Sequence, residues 1–301
     1  MKRLLLLLCL LLWLPLQAAE TWLVGFAQDT LANDWRKAQV RDVQEALAKH
    51  PNIRFVVTDA QGETALQARH IEDLLLQGVD VLITSPRDQV ALAPVIRRVH
   101  EAGVPVILLS RGIEGDSFTS FVYHDNQALA RQAAEYLVEQ LQGQGHILML
   151  EGIPGASTTV DRREGFLAVT REHPGIRVTQ RTANFLRADA IMAVDQLLLD
   201  GQRFDAIYAQ SDSMAAGARL ALQRHGIDLG SVPLVGIDFI REAQAAIRAG
   251  HQSMSFTFPT GGREGAALVL QLLAGEPVPR YVLIPSEAVT INNVELMEPI
   301  F

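Results

Sequence analysis

The chain has 301 residues, with 26 basic and 34 acidic side chains, a formal charge of −8 and a single cysteine. A surface of that sign repels nucleic acid and anionic membranes, and one cysteine excludes an internal disulfide. Some 280 residues beyond the N-terminal segment suffice to bury a core unaided, as one large or two medium domains.

Lys2 and Arg3 precede an almost unbroken leucine run from Leu4 to Leu14, which Pro15 ends before Leu16-Gln17-Ala18. A short positive start, an apolar run and small residues predict a secretory signal peptide over residues 1–19, cleaved after Ala18 or Ala19. The run is roughly a dozen residues, short of the ~20 that span a bilayer. Cys9 sits among leucines rather than at the cleavage point, so no lipid anchor is expected. Losing Lys2 and Arg3 leaves 24 basic residues against 34 acidic, a charge of −10. The expected location is a bacterial periplasm.

Short apolar strands and amphipathic helices then alternate. Trp22 to Ala27 reads as a strand and Trp35 to Ala48 as a helix; Arg54 to Thr58 is a strand and Ala65 to Gln77 a helix. Val79 to Thr84 is a strand, Val90 to Ala102 a helix closed by Gly103, and Pro105 to Leu109 a strand. The order begins again with strand His146 to Leu150 and helix Asp161 to Glu172, then strand Ile176 to Gln180 and helix Ala188 to Leu199. Strand Asp205 to Ala209 precedes helix Ser213 to Arg224, and strand Pro233 to Ile237 precedes helix Arg241 to Ala249. Apolar strands each followed by a helix belong to parallel sheets covered on both faces. Gly78-Val-Asp-Val-Leu-Ile matches Phe204-Asp-Ala-Ile-Tyr-Ala, and Gly103-Val-Pro-Val-Ile-Leu matches Ser231-Val-Pro-Leu-Val-Gly. The prediction is an α/β protein of two doubly wound parallel-sheet lobes.

In such sheets ligands sit beyond the carboxyl ends of the strands. That rule selects Gln28, Asp29, Asn33, Asp34, Trp35 and Arg36 after the first strand, then Ser85, Arg87, Ser110 and Arg111. Tyr123-His124-Asp125-Asn126 falls where the chain passes between lobes. The second lobe offers Ser157, Thr158, Asp161, Arg162, Asn184, Gln210, Ser211, Asp212 and Asp238, and Phe256-Thr257-Phe258-Pro259 closes the set. Asp and Asn bridge vicinal hydroxyls, Arg donates planar hydrogen bonds, and an aromatic ring covers the C–H face of a sugar. Asp125, Asp161, Asp212 and Asp238 also stand where helix N-caps are common, and Trp35 could serve the core.

With these residues in view, the mature chain resembles periplasmic sugar-binding proteins of the ribose/galactose-binding type, the type I class that serves ABC transporters. Val24-Gly-Phe-Ala-Gln, Gln77-Gly-Val-Asp-Val-Leu-Ile-Thr-Ser-Pro, Gly155-Ala-Ser-Thr-Thr-Val-Asp-Arg-Arg-Glu-Gly-Phe, Gln210-Ser-Asp-Ser-Met-Ala-Ala-Gly-Ala and Val235-Gly-Ile-Asp carry the resemblance. Trp35-Arg36 with the long Gly155-to-Arg162 segment is most similar to the galactofuranose-binding subgroup. The resemblance implies that Arg36, Arg111, Asn126, Arg162, Asn184, Asp212 and Asp238 contact the sugar, with Trp35 or Phe26 stacking on it. Gln28, Ser110, Asp125, Asp161 and Thr257 complete the expected site. Many members carry Asp-Arg where this chain has Ser110-Arg111, which removes an acceptor for paired hydroxyls; Thr257 stands near a Gln of ribose binders.

The resemblance also implies three crossovers, near Tyr123–Asp125, Ser255–Phe258 and Leu283–Ser286. One lobe would then take 20–124 plus 257–284 and the other 125–256 plus 285–301. Hinge closure on a monosaccharide and docking to an ABC permease follow, or alternatively docking to a membrane histidine kinase or chemoreceptor. No cofactor or metal is expected, and the chain is expected to be monomeric. A repressor of the lactose-repressor class would need a basic helix-turn-helix where the signal segment lies. Enzyme chemistry is not expected: Gly152-Ile-Pro-Gly-Ala-Ser-Thr-Thr lacks the lysine of a phosphate loop, and no Gly-x-Ser-x-Gly elbow or His/Glu zinc helix is present.

Overall fold

Residues 21–301 are described by a computed structural model, so the signal peptide expected over 1–19 lies outside the described residues. In chain order the elements are β1 (Trp22–Gln28), α1 (Asp34–Leu47), β2 (Ile53–Asp59), α2 (Thr64–Leu76), β3 (Val81–Ser85), α3 (Ala93–Glu101), β4 (Val106–Leu109) and β5 (Ser120–Tyr123). Then come α4 (Asn126–Gln140), β6 (Gly145–Glu151), α5 (Ser157–Thr170), β7 (Ile176–Thr182), α6 (Arg187–Leu199), β8 (Ala206–Ala209), α7 (Asp212–Arg224) and β9 (Leu234–Val235). The chain ends with α8 (Arg241–Arg248), β10 (Met254–Phe256), α9 (Gly262–Leu273), β11 (Tyr281–Leu283) and β12 (Ala288–Thr290).

Two six-stranded sheets result, ordered β11-β5-β4-β3-β1-β2 and β12-β10-β9-β8-β6-β7. Every pairing is parallel except β10 with β12. The matched segments seen in the sequence hold equivalent places, β3 with β8 and β4 with β9. Each sheet reverses its strand order beside its first strand, so the crevices beyond β1/β3 and β6/β8 are topological switch points.

Both faces of each sheet are covered, which is why strands such as β3 are buried throughout. Val24, Phe26, Ile83 and Ile107 pack with Val40, Val43, Leu47 and Val269 of α1 and α9. On the opposite face Ala27, Leu82 and Leu108 meet Ile71, Leu74, Ile96 and Val99 of α2 and α3. The second sheet repeats this with α6 and α7 on one side and α4 and α5 on the other. Gly25 permits the close approach of α2: a Cβ there would stand 2.9 Å from both Leu74 methyls.

Several boundaries differ from expectation. α5 begins at Ser157, four residues before Asp161, because Ala156 is extended and the helix then takes in Ser157-Thr158-Thr159; β-branched threonines disguise that turn in sequence. α3 starts at Ala93 rather than Val90, since the Asp88 carboxylate accepts from the Val90 and Ala91 amides and holds a separate turn. The strand expected over Pro233 to Ile237 shrinks to Leu234–Val235. β5, α4 and α9 lie outside the elements read from the sequence; in α4 four of fifteen positions are alanine, which blurs its apolar stripe.

The chain passes from one sheet to the other at 124–125, 257–261 and 284–287. His124 ties these passages together. Its Nε2 donates to the Pro259 carbonyl at 2.9 Å, its Nδ1 meets the Ser286 hydroxyl at 2.9 Å, and its ring stacks on Phe258 at 3.7 Å. Burial holds its pKa down to about 4, so the ring is neutral, with Nδ1 accepting from Ser286.

Candidate functional site

Between the sheets lies a cavity of about 290 Å³. Its floor comes from the first lobe. Asn33 caps α1, its Oδ1 accepting from the Trp35 amide at 2.8 Å, and this sets the first turn of the helix over the crevice. Arg36, in that first turn, donates to Ser85 Oγ at 2.7 Å, Gln39 Oε1 at 3.1 Å and Ser110 Oγ at 3.2 Å. Asp29 is fully buried beyond β1, with Arg111 Nη1 2.7 Å and Arg36 Nε 3.3 Å from its oxygens. Burial alone would raise the Asp29 pKa, but the two guanidiniums together outweigh it and hold the carboxyl below its ordinary value. Burial first, then the charge of Arg111, brings Arg36 down to about 9.

The roof comes from the second lobe. Arg162 projects from the second turn of α5, its Nε donating to Asn126 Oδ1 at 2.8 Å and its Nη1 to the Gln210 carbonyl. Its guanidinium lies 4.6 Å over the Phe258 ring and 5.9 Å from Phe185, while Arg111 faces the Phe185 ring from the other lobe at 5.6 Å. Burial, opposed by the charge of Asp238, lowers the Arg162 pKa. Asp238 lines the cavity with no side-chain donor on its carboxylate, and burial pushes its pKa well above 3.8 despite nearby Arg162.

Of the seven non-glycine residues at positive φ among those described, five line this cavity: Gln61, Ser110, Asn184, Phe185 and Asp238. Left-handed backbone costs about 1–3 kcal/mol per residue and clusters where a site must hold a fixed geometry. The lobes also touch directly. Asn33 Nδ2 donates to the Phe185 carbonyl at 2.8 Å, Gly112 N to Ser157 Oγ at 2.9 Å and Gln89 N to the Gly155 carbonyl at 3.0 Å. The cleft is closed.

Of the expected site residues, Trp35, Arg36, Ser110, Arg111, Arg162, Asn184 and Asp238 line the cavity. The others stand elsewhere, each for a local reason. Phe26 is core beneath α1 and α9. Gln28 is buried behind the wall, its Nε2 donating to Gln39 Oε1 at 3.1 Å. Asp125 caps α4 through the Ala128 amide at 2.9 Å. Asn126 holds Arg162 instead of facing the cavity. Asp161 lies beyond the start of α5, so it caps nothing and pairs loosely with Gln127 at 3.4 Å. Asp212 is buried among Ser255, Gln252 and the Phe239 amide, and burial raises its pKa to about 6. Thr257 faces away from the cavity; its Oγ1 accepts from the Glu287 amide at 2.8 Å.

The cavity also takes in Asn33, Arg87, Thr158, Ser211, Phe185 and Phe258. All but Phe185 stand in the set selected by position after a strand. Phe185 follows Asn184 directly, and its proximity to the end of β7 was the available signal.

Two doubly wound lobes closed over a polar, aromatic-walled cavity define a cleft-type solute-binding protein. The chain belongs to the periplasmic binding protein domain family, whose model matches residues 24–277. Membership implies a periplasmic location. The ribose import binding protein RbsB of Bacillus subtilis (strain 168) is 29% identical over 225 residues, covering 75% of this chain and 72% of that protein. An ABC transporter solute-binding protein from Bacillus halodurans C-125 with bound myo-inositol superposes with a TM-score of 0.87 at 28% identity, covering 93% of this chain and 98% of its own. The fructose-binding periplasmic domain of a hybrid two-component system gives 0.85 at 25% identity, covering 91% and 92%.

Proposed function

We propose that this chain captures a monosaccharide, a pentose or hexose in pyranose or furanose form, and delivers it to an ABC permease in the membrane. The observation that carries the reading is the Asp238 carboxylate, buried without a side-chain donor at the wall of a cavity that aromatic rings also line. A carboxylate so placed accepts from vicinal hydroxyls, while Arg162, Arg111 and Asn184 donate to or accept from ring oxygens and hydroxyls. Trp35, Phe185 and Phe258 cover C–H faces. The relatives that import ribose or hold myo-inositol bind polyhydroxylated, compact ligands of this size.

The same wall supports a reading of binding without glycoside hydrolysis. Glycoside hydrolysis needs two carboxylates across the scissile bond; the cavity presents Asp238 alone, and Asp29 is pinned behind it by two arginines. The lobes, taken as 20–124 plus 257–284 and 125–256 plus 285–301, close as rigid bodies about the three passages. A thermal-shift screen of the mature protein against aldoses, ketoses and polyols tests the reading. A true ligand at a hundred times its dissociation constant stabilises the fold by ~2.7 kcal/mol. Melting that responds to no carbohydrate defeats it.

The hybrid two-component neighbour favours one second reading, in which the closed form docks on a membrane sensor. Reconstituted with a candidate ABC permease and its ATPase, the liganded protein stimulates ATP hydrolysis under the transport reading and leaves it flat under the sensor reading.

A further inference from the structure

The ionisable groups around the cavity are not balanced. Arg36, Arg87, Arg111 and Arg162 line it with a single carboxylate, Asp238. Asp29, behind the wall, neutralises one of the two guanidiniums it touches. Even with Asp238 counted as ionised against Arg162, two positive charges stay uncompensated among the lining groups. Arg36, Arg111 and Arg162 are nearly fully buried, and burial without a counter-charge is costly. A hydroxyl accepts a hydrogen bond from such a group but does not neutralise it; an anionic oxygen does both.

The arginines differ in what already occupies them. Arg36 and Arg111 share Asp29, and Arg162 is held by Asn126 and the Gln210 carbonyl. Arg87 lines the cavity half-buried, beside the Gln61–Gly62 turn, and its guanidinium has no hydrogen-bond or ion-pair partner among the described residues. Its charge acts on Asp29 through space, without contact, so it is the least occupied cation of the site.

We infer that the ligand is an acidic monosaccharide, a polyhydroxylated skeleton whose single anionic group lies against Arg87 while Asp238 accepts from its hydroxyls. The inference rests on the sugar-binding reading and narrows it to charged members. A carboxylate, as in aldonates and uronates, and a phosphate ester supply the same anionic oxygens.

The test is titration calorimetry of the mature protein with aldonates, uronates and sugar phosphates of the pentose and hexose series, each beside its neutral parent. The expected result is an acid bound at least tenfold more tightly than its parent, with the advantage shrinking at high salt. The carboxylate and phosphate arms identify which anion serves. In Arg87→Gln the acid-to-parent affinity ratio falls by roughly ten- to a hundredfold, the value of one hydrogen bond to a charged group. A neutral sugar that binds as tightly as or more tightly than every acid overturns the inference and leaves the sugar-binding reading standing. Binding of none of the carbohydrates overturns both.

Discussion

Asp29 accepts a 2.7 Å hydrogen bond from Arg111, across 82 residues of sequence, and holds that guanidinium from behind the cavity wall. Here Ser110 donates or accepts within an Arg36–Ser85–Ser110 cluster, and the acid arrives from the end of β1. Asp29 lies behind the guanidiniums, so it orients them without offering its oxygens to the cavity.

Asp29→Asn tests that role. The change keeps the volume and leaves two buried guanidiniums without their carboxylate, so stability falls by roughly 3–5 kcal/mol, the cost of breaking a buried pair. Urea unfolding at pH 7 measures it. Because the folded pKa of Asp29 lies below its ordinary 3.8, the carboxylate contributes stability above 3.8 and loses it as pH falls through the folded value. The gap between wild type and variant therefore holds from neutral pH down to about 4 and narrows only below it. A gap under 1 kcal/mol at pH 7 would show the pair to be incidental.

Arg162 makes a different expectation. Its removal releases a desolvated charge that touches no carboxylate within ion-pair distance, and leaves Asn126 Oδ1 and the Gln210 carbonyl without their donor. These effects oppose each other at about 1–3 kcal/mol apiece. Arg162→Met is expected to unfold within about 1 kcal/mol of wild type in the absence of ligand. Its ligand affinity drops by roughly a hundredfold, since hydrogen bonds to a charged group are worth ~1.5–3 kcal/mol each. Isothermal titration with whichever sugar the screen selects reads this directly, and unchanged affinity removes Arg162 from the binding set.

The architecture was readable because strand and helix periods are written in the apolar pattern, and the carboxyl-end rule then selected Arg36, Ser110, Arg111, Asn184 and Asp238. What it could not resolve is direction over one residue. Thr257 and Phe258 are neighbours in an extended segment, so their side chains take opposite sides, and it is Phe258 that faces the cavity. Ser211 caps α7 and lines the wall, while Asp212 turns inward to Ser255 and Gln252. The four-residue error at the start of α5 put Asp161 at a helix start, where a cap and a ligand contact were both open; it lies one turn further in and does neither. Phe185 sits at φ 60°, a conformation that its residue type argues against and only the surrounding fold imposes.

His124 links the three hinge passages as a neutral ring, and its folded pKa of about 4 against an ordinary 6.5 has a defined sign. Between those values the unfolded chain binds the proton and the folded one does not, so the contribution is complete above pH 6.5 and is lost as pH falls towards 4. The shift corresponds to at most about 3 kcal/mol. Asp212, raised to about 6 by burial, acts with the opposite sign over part of this window, so total stability against pH does not isolate the hinge. The comparison of wild type with His124→Asn does. The wild-type advantage in urea unfolding at pH 8 is expected to shrink at pH 5; an advantage independent of pH means that the ring is already protonated or does not bear on the hinge.

Closure itself can be blocked at one position. Gly155 lies at the start of the second lobe's roof at φ 83°, and a Cβ there would stand 2.3 Å from the Asp88 carboxylate of the first lobe. Asp88 cannot swing aside freely, because its Oδ1 accepts from the Val90 and Ala91 amides at 2.9 and 2.8 Å. In an open form the lobes separate and the clash disappears, leaving only the left-handed strain of about 1–2 kcal/mol that any L side chain meets there. Gly155→Ala is therefore expected to melt slightly below wild type without ligand and to bind at least about tenfold more weakly, a further ~1.4 kcal/mol. Small-angle scattering separates this from simple strain: saturating ligand contracts the wild type, and the variant keeps a larger radius of gyration at equal occupancy. A variant that contracts as fully as wild type would place the closing contact away from the Gly155–Asp88 approach.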